Sequence, residues 1–433
     1  MADAPDDIPR EGNGFSDRQV RRGLWMSIAA SSLGVMHYRL LWPTGLLSVG
    51  ILLTLGVTKF QIAVLTATLP LSRCAEIIAS YAMQRTGRRR ELFTWTHIVS
   101  RLLWVALVLT WYVRAEYLPW RLPILFAILL ASSLLAWTGA NAWLSWMGDL
   151  IPTHARARYF GFRQIFEKGF EIVGGLCVGW YLGTRPPYGQ YIIVVCVLVT
   201  FGVLDILVFR FLVPHPVLAP TRRRGQLKDL ITIPLRDRKY RKLVLFLATW
   251  TFAAGLLQAY IWVFIKGEAY LNLSYLFGYT NLAIAGVCLM GMSYFWGRVG
   301  DRWQPRRALT VCVLMGVTPP FYYAFATPTF VLPIYLAWAI GSMAWAGIMV
   351  FSYQYAISMA PAAERSVYLA FQSAVLGLVG AAAFLAAGGI VWLLQWVTLP
   401  WGLCDLQVLF CLTGVGRLLS LIWVSRMDNM HRS

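Results

Sequence analysis

The sequence predicts an all-α membrane protein of twelve transmembrane helices in two pseudo-symmetric six-helix halves. Three observations predict it. The 433 residues are 58% hydrophobic and only 13% charged, with a mean hydropathy of +0.61, whereas soluble domains average about 25% charged residues. Twelve apolar runs recur along the chain, each near the roughly 20 residues that a membrane helix needs. The cations fall mostly in alternate connections, as in a chain threaded repeatedly through a bilayer. This composition excludes a water-soluble enzyme of this length. An aromatic content of 15% excludes disorder. The 7 Cys are odd in number and scattered, and the 36 Gly follow no repeat. A disulfide framework and a collagen-like chain are therefore excluded, and no disulfide is expected.

Taken in order, the chain opens with a polar tail, 1–23, in which Asp3, Asp6, Asp7, Glu11 and Asp17 mix with Arg10, Arg18, Arg21 and Arg22. The first apolar run starts near Leu24 and is too long for the core of a cleavable signal, so it is expected to stay in the membrane. The twelve runs lie near 24–54, 59–83, 92–113, 122–147, 162–183, 190–212, 243–265, 275–297, 308–327, 331–358, 366–393 and 404–425. Lipid offers the backbone no hydrogen-bond partners, so each run is expected as a helix. The alternation of a membrane β-barrel is absent. The longest polar connection, 213–242, carries Arg222-Arg223-Arg224 and the basic stretch 234–242. It is the expected cytoplasmic linker between a first half, 24–212, and a second, 243–425, and residues 426–433 form a cytoplasmic tail.

The net charge of +19 comes from 38 Lys and Arg against 19 Asp and Glu. With the N-terminus in the cytoplasm, 27 of the 38 cations fall on the cytoplasmic side and five on the other. That bias predicts an integral multi-pass protein of the plasma membrane with both termini cytoplasmic. It accounts for the basic balance without nucleic acid.

An internal repeat supports the two halves. Pro152, Arg156, Tyr159 and Phe162 follow the fourth run, and Pro361, Arg365, Tyr368 and Phe371 follow the tenth. Both read P-x3-R-x2-Y-x2-F, 209 residues apart. Arg85 and Arg302 form a second match, 217 residues apart. Two motifs with nearly equal offsets point to duplicated halves of the same orientation.

With these features the sequence resembles the major facilitator superfamily. That family carries a cytoplasmic G-x3-D-R-x-G-R-R-R signature between helices 2 and 3, repeated between helices 8 and 9. The first loop here has Ser80 and Gln84 where the signature has Gly and Asp, then Arg85, Gly87, Arg88, Arg89 and Arg90. The second keeps Gly297, Asp301 and Arg302 but lacks the second Gly. The resemblance implies the twelve-helix fold and leaves the solute open. It also implies a cytoplasmic gate drawn from Arg85, Gly87, Arg88, Gly297, Asp301 and Arg302, with Arg156 and Arg365 of the repeated motif. The alternative is that these arginines only anchor topology. A Gly-Pro pattern in helix 5, shared by many drug exporters of the family, is missing. Gly175, Gly179 and Gly183 there suit close helix packing instead.

Charge at the bilayer centre costs at least ~2.5–3.5 kcal/mol, so charged residues inside the runs need a reason. Helix 1 carries His37 and Arg39 just before Pro43, and helix 2 carries Arg73 and Glu76 at i, i+3. Helix 5 carries Arg163, Glu167 and Glu171 on one stripe beside Lys168. Arg101, Asp205 and Arg417 sit in helices 3, 6 and 12. One reading is a site where Arg39 or Arg73 holds an anionic group, with His37 as a further candidate, and where Glu76, Glu171 or Asp205 carries a proton. The other is that Arg73–Glu76 and Arg163–Glu167 are intrahelical pairs that neutralise each other. The family's cavity is lined by helices 1, 4, 7 and 10. On the last three of these the candidate solute contacts are Trp137 and Asn141, then Gln258 and Trp262, then Trp345, Tyr353 and Gln354, aromatics and amides that suit a mostly apolar pocket.

The expected function is secondary transport by alternating access of a small polar or anionic organic solute, with proton coupling. A drug or lipophile exporter of the same fold and a non-transporting assembly factor or receptor are the alternatives. A membrane-embedded enzyme is a weaker third, because the five His lack ligand-like spacing. No G-x4-G-K-[ST] loop is present, and neither cofactor nor metal is expected. The expected partners are the solute and membrane lipid, and a bundle of this size can act as a monomer.

Overall fold

Helix boundaries follow capping and proline signals in the chain. The computed structural model describes residues 15–76, 83, 87–113, 118–151, 156–216, 229–359, 365–397, 399 and 402–427. Ser16 and Gln19 form a reciprocal capping box that opens α1, Asp17–Leu40. The chain breaks around Pro43 and resumes as α2, Leu46–Thr54. Thr58 and Gln61 form a second capping box for α3, Lys59–Leu71. Then come α4, Arg89–Leu109, α5, Leu118–Leu150, α6, Arg156–Leu182, and α7, Tyr188–Leu212. A short amphipathic helix, α8, Asp229–Arg236, precedes α9, Arg238–Gln258, whose N-terminus is capped by Asp237. After a break at Ala259–Tyr260 follow α10, Ile261–Lys266, α11, Tyr275–Arg302, α12, Pro305–Val317, and α13, Pro319–Tyr322. The last three are α14, Leu332–Met359, α15, Arg365–Leu394, and α16, Asp405–Ser425.

Among the described residues, nine helical spans are long and apolar enough to cross a membrane. The other three expected segments are 24–54, 59–83 and 162–183, and each departs from a plain apolar helix for a visible reason. The first is interrupted after Leu40. The second passes into a 3-10 turn at Ser72–Cys74 after Pro70, and most of its remainder lies outside the described residues. The third carries Arg163, Glu167, Lys168 and Glu171.

Packing divides the chain into two compact units. The first comprises residues 1–42, 75–175 and 187–223. Its core is built on α1, α4, α5 and α7, around Phe93, Trp146, Ile206 and Phe209. The second comprises 43–74, 176–186 and 224–433, with a core around Tyr240, Trp250, Trp296 and Phe351. Segments 43–74 and 176–186, from the first six expected helices, thus pack with the helices that follow residue 224. Glycine permits one of those contacts: a Cβ on Gly179 would lie 2.8 Å from the Leu276 Cα, so α6 meets the start of α11 backbone to backbone.

The repeated motif does matching work in each unit. In the first, the Tyr159 hydroxyl donates to Ser27 Oγ at 2.8 Å and ties α6 to α1. In the second, Tyr368 on α15 reaches the start of α9, where the Tyr240 hydroxyl lies 3.0 Å from the Tyr368 carbonyl oxygen. The arginines that open helices 3 and 9 also correspond. Arg90 donates to the Arg210 carbonyl near the end of α7, and Arg306 donates to the Ser425 carbonyl at the end of α16. Each satisfies a backbone acceptor that the helix itself leaves open.

Arg89 extends this arrangement in the first unit. Its fully buried guanidinium pairs with Asp149 on α5 at 2.5 Å and donates to the Pro216 carbonyl at 2.7 Å. The Trp146 indole N–H donates to the Pro214 carbonyl at 2.7 Å, and the His215 ring packs edge-on to Trp146. Burial, with Arg89 and Arg90 nearby, pushes the His215 imidazole down to about 4. A folded-state value below the unfolded one, about 6.5, means that stability is complete above pH 6.5 and is lost as pH falls towards 4. Thermal unfolding of the purified protein is expected to show this loss, and His215→Asn is expected to flatten it. An unchanged slope in the variant would remove His215 as its source.

Candidate substrate site

The first unit gathers the charges of helices 1 and 5 into one cluster. The break after Leu40 leaves His37 and Arg39 in the last turn of α1, where the helix carbonyl end favours cations. The charged stripe on α6 meets Arg39. Glu171 accepts from Lys168 at 2.7 Å, and the same carboxylate oxygen lies 4.0 Å from the Arg39 guanidinium. One turn earlier, Arg163 pairs with Glu167 at 2.6 Å and stacks on the Trp143 ring at 4.2 Å. Three cations therefore meet two carboxylates. The Glu171 oxygen that faces Arg39 is already neutralised by Lys168, and the Arg39 side chain remains 49% exposed. An anion can approach Arg39 and make two parallel hydrogen bonds without stripping Glu171 of its partner. Trp137 on α5 lies edge-on to Trp42, just past the break, with ring centroids 6.4 Å apart. Asn141 is half-buried one turn further along α5.

Asp205 is placed elsewhere in this unit. It pairs with Arg101 of α4 at 2.8 Å, and both side chains are buried. Two glycines permit the approach. A Cβ on Gly34 would stand 2.1 Å from the Asp205 carboxylate, and one on Gly202 would stand 2.8 Å from His37 Cβ and 2.9 Å from Arg101 Cδ. His37 is 5% exposed and packs into this junction of α1, α4 and α7. The structure thus joins Arg39 to Glu171, and Asp205 to Arg101.

The second unit holds the other candidates. Gln258 ends α9 at the break before α10. Adding 217 residues, the offset between Arg85 and Arg302, to Leu41 gives Gln258. The interruptions of helices 1 and 7 therefore correspond, and interrupted helices in equivalent positions of two repeats mark binding regions in transporters. Trp262 is 5% exposed and packs against Trp338, with centroids 5.1 Å apart. Trp345, Tyr353 and Gln354 on α14 are exposed. Arg73 packs its Cβ within 3.1 Å of where a Gly377 side chain would begin. Glu76 also engages partners.

Half of the expected cytoplasmic gate lies outside the described residues: Arg85 entirely, and the side chains of Arg156, Asp301 and Arg365. Gly87 is described and takes φ +66°, a left-handed turn that favours glycine. Arg88 engages partners, Gly297 lies on an exposed face, and Arg302 is exposed. Trp42, Trp143 and the Arg89 network are not among the sequence candidates, where Lys168 stands only as a neighbour of the stripe. The signal for Trp143 is its place on helix 4, which the resemblance already marked.

A family model, Major Facilitator Superfamily, matches residues 24–384. The chain belongs to the major facilitator superfamily. Solved structures share the fold at low identity. A nucleoside transporter, NupG, solved as a point mutant, aligns at TM-score 0.73 and 11% identity, covering 93% of this chain and 99% of its own. A bacterial homologue of the iron transporter ferroportin, in an inward-facing state, aligns at 0.69 and 13%, covering 95% and 98%. A D-xylose-proton symporter aligns at 0.65 and 12%, covering 93% and 97%. A search of curated proteins found no match. Membership in the superfamily makes the chain an integral multi-pass membrane protein and points to a secondary transporter rather than an enzyme.

Proposed function

We propose that this superfamily member moves a small polar or anionic organic solute by alternating access, with a proton as the coupling ion. The observation that supports this reading is the state of Arg39: a half-exposed guanidinium at a helix break, 4.0 Å from a carboxylate whose nearer partner is Lys168. The solute's carboxylate or phosphate docks on Arg39, and its apolar part lies against Trp42 and Trp137. Glu171 is the coupling carboxylate, because it is the acid in contact with Arg39. Asp205 is engaged by Arg101 and serves the packing of α1, α4 and α7. Both termini face the cytoplasm of a plasma membrane, as the charge bias indicates.

Flux in proteoliposomes tests the proposal. Wild-type protein is expected to accumulate an anionic solute when the lumen is alkaline. Glu171→Gln is expected to keep solute exchange within about threefold and to lose accumulation driven by the proton gradient. Accumulation that persists undiminished in Glu171→Gln would remove Glu171 from coupling. An absence of flux for every solute class would turn the reading to a non-transporting protein.

A further inference from the structure

The charges around Arg39 are not equally available to a solute. Arg163 is held by Glu167 at 2.6 Å and by the Trp143 ring, and its side chain is 15% exposed. Lys168 is held by Glu171 at 2.7 Å and is 25% exposed. Arg39 keeps 49% of its side chain exposed and lies 4.0 Å from Glu171. The carboxylates are more enclosed: Glu167 is 11% and Glu171 18% exposed, and each contacts a cation of its own helix. Those pairs span i, i+4 and i, i+3, a spacing that the helix backbone keeps in reach. The cluster therefore presents one cation to an incoming solute and no carboxylate. Three residues beyond Arg39, half-buried Trp42 lies edge-on to half-buried Trp137. Aromatic rings add to such a pair edge-on or offset-stacked, held by ring quadrupoles that a saturated ring lacks.

We infer that the solute is an aryl monocarboxylate, and that Lys168 sets this charge specificity. A second anionic group on the solute would have to draw Arg163 or Lys168 away from its carboxylate and leave that carboxylate enclosed without a partner. The ammonium of an amino acid would approach the Arg39 guanidinium and find no carboxylate open to it, so a zwitterion is rejected by repulsion as well as by a missing contact. A single carboxylate meets neither obstacle. Lys168 decides the matter because the Glu171 oxygen it holds is the one that faces Arg39. Without Lys168, Glu171 is left to Arg39 alone, and the two then offer a cation and a carboxylate together, the complement of an α-amino acid. The inference rests on the Arg39 reading of the site, and the experiment separates the two.

Titration calorimetry on the full-length protein in lipid nanodiscs, near neutral pH, tests it with a matched set of probes. Phenylacetate carries one carboxylate. Phenylsuccinate adds a second, phenylalanine adds an ammonium, and cyclohexylacetate replaces the aromatic ring. The wild type is expected to bind phenylacetate about tenfold tighter than phenylsuccinate or phenylalanine, and about threefold tighter than cyclohexylacetate. Lys168→Gln is expected to shift the ratio of phenylalanine to phenylacetate affinity about tenfold towards the amino acid, and Lys168→Arg to keep the wild-type preference. A merely structural role for Lys168 would weaken every probe in parallel. That result, or an unchanged ratio in Lys168→Gln, overturns its part in specificity. Phenylsuccinate or phenylalanine binding the wild type as tightly as phenylacetate overturns the single-charge class, and cyclohexylacetate binding as tightly overturns the aryl part. If Arg39→Ala abolishes binding while the wild type fails to discriminate among the probes, the Arg39 reading stands and this inference fails. If Arg39→Ala binds phenylacetate as the wild type does, or the wild type binds none of the probes, both fail.

Discussion

Arg39→Ala is expected to lower transport of an anionic solute by about 10- to 100-fold while leaving expression and folding intact. The magnitude follows from a hydrogen bond to a charged group, ~1.5–3 kcal/mol, with tenfold per 1.36 kcal/mol. The lower end applies to the extent that water already reaches the half-exposed side chain. Stability is spared for a structural reason. Glu171 keeps Lys168 at 2.7 Å after the guanidinium is removed, so no carboxylate is left buried without a partner. Arg39→Lys is expected to recover part of the activity, because a point charge remains but the two-pronged geometry does not. Initial uptake rates in proteoliposomes, normalised to folded protein, decide the matter. Undiminished uptake in Arg39→Ala would remove Arg39 from the site.

The second large effect falls on stability. Asp205→Ala is expected to destabilise the protein by about 3–5 kcal/mol, because it leaves Arg101 charged and unpaired among packed helices. The paired replacement Arg101→Met with Asp205→Leu is expected to cost far less, since neither charge remains to be compensated. The comparison separates structure from chemistry. If Asp205 carried a transported proton, the double variant would be stable and lose coupling. If the pair serves packing, the double variant is stable and still couples. Thermal unfolding of the three proteins in detergent checks the energetic order, and equal losses in the single and double variants would contradict it.

The fold was readable because lipid imposes simple rules. Segment length, the cation bias and the repeat of Tyr159 and Tyr368 each leave a mark in one dimension. Pro43 signalled the break in helix 1, and the i, i+4 spacing signalled Arg163–Glu167. The Arg39–Glu171 contact was half visible: both residues were candidates, but nothing in the sequence set them side by side. Asp205–Arg101 was not visible as a pair. The partners are 104 residues apart, and what joins them is the absence of a side chain at Gly34 and Gly202. Lys59 pairs with Asp405, 346 residues away, and both sit at helix ends, where a charge looks like a surface charge until its neighbour is known. The break in helix 7 lacks a proline, and only its correspondence with helix 1 gives it meaning.

Ligand-induced thermal stabilisation of the purified wild type and Arg39→Ala, against anionic, neutral and cationic metabolites at two pH values, tests the solute site most directly. A ligand that binds only the folded state at 100 times its Kd stabilises by about 2.7 kcal/mol, which such a measurement resolves. The site described here predicts that anionic solutes stabilise the wild type in a pH-dependent way and leave Arg39→Ala unshifted. Stabilisation confined to cationic or lipophilic compounds, or equal in the two proteins, would contradict it.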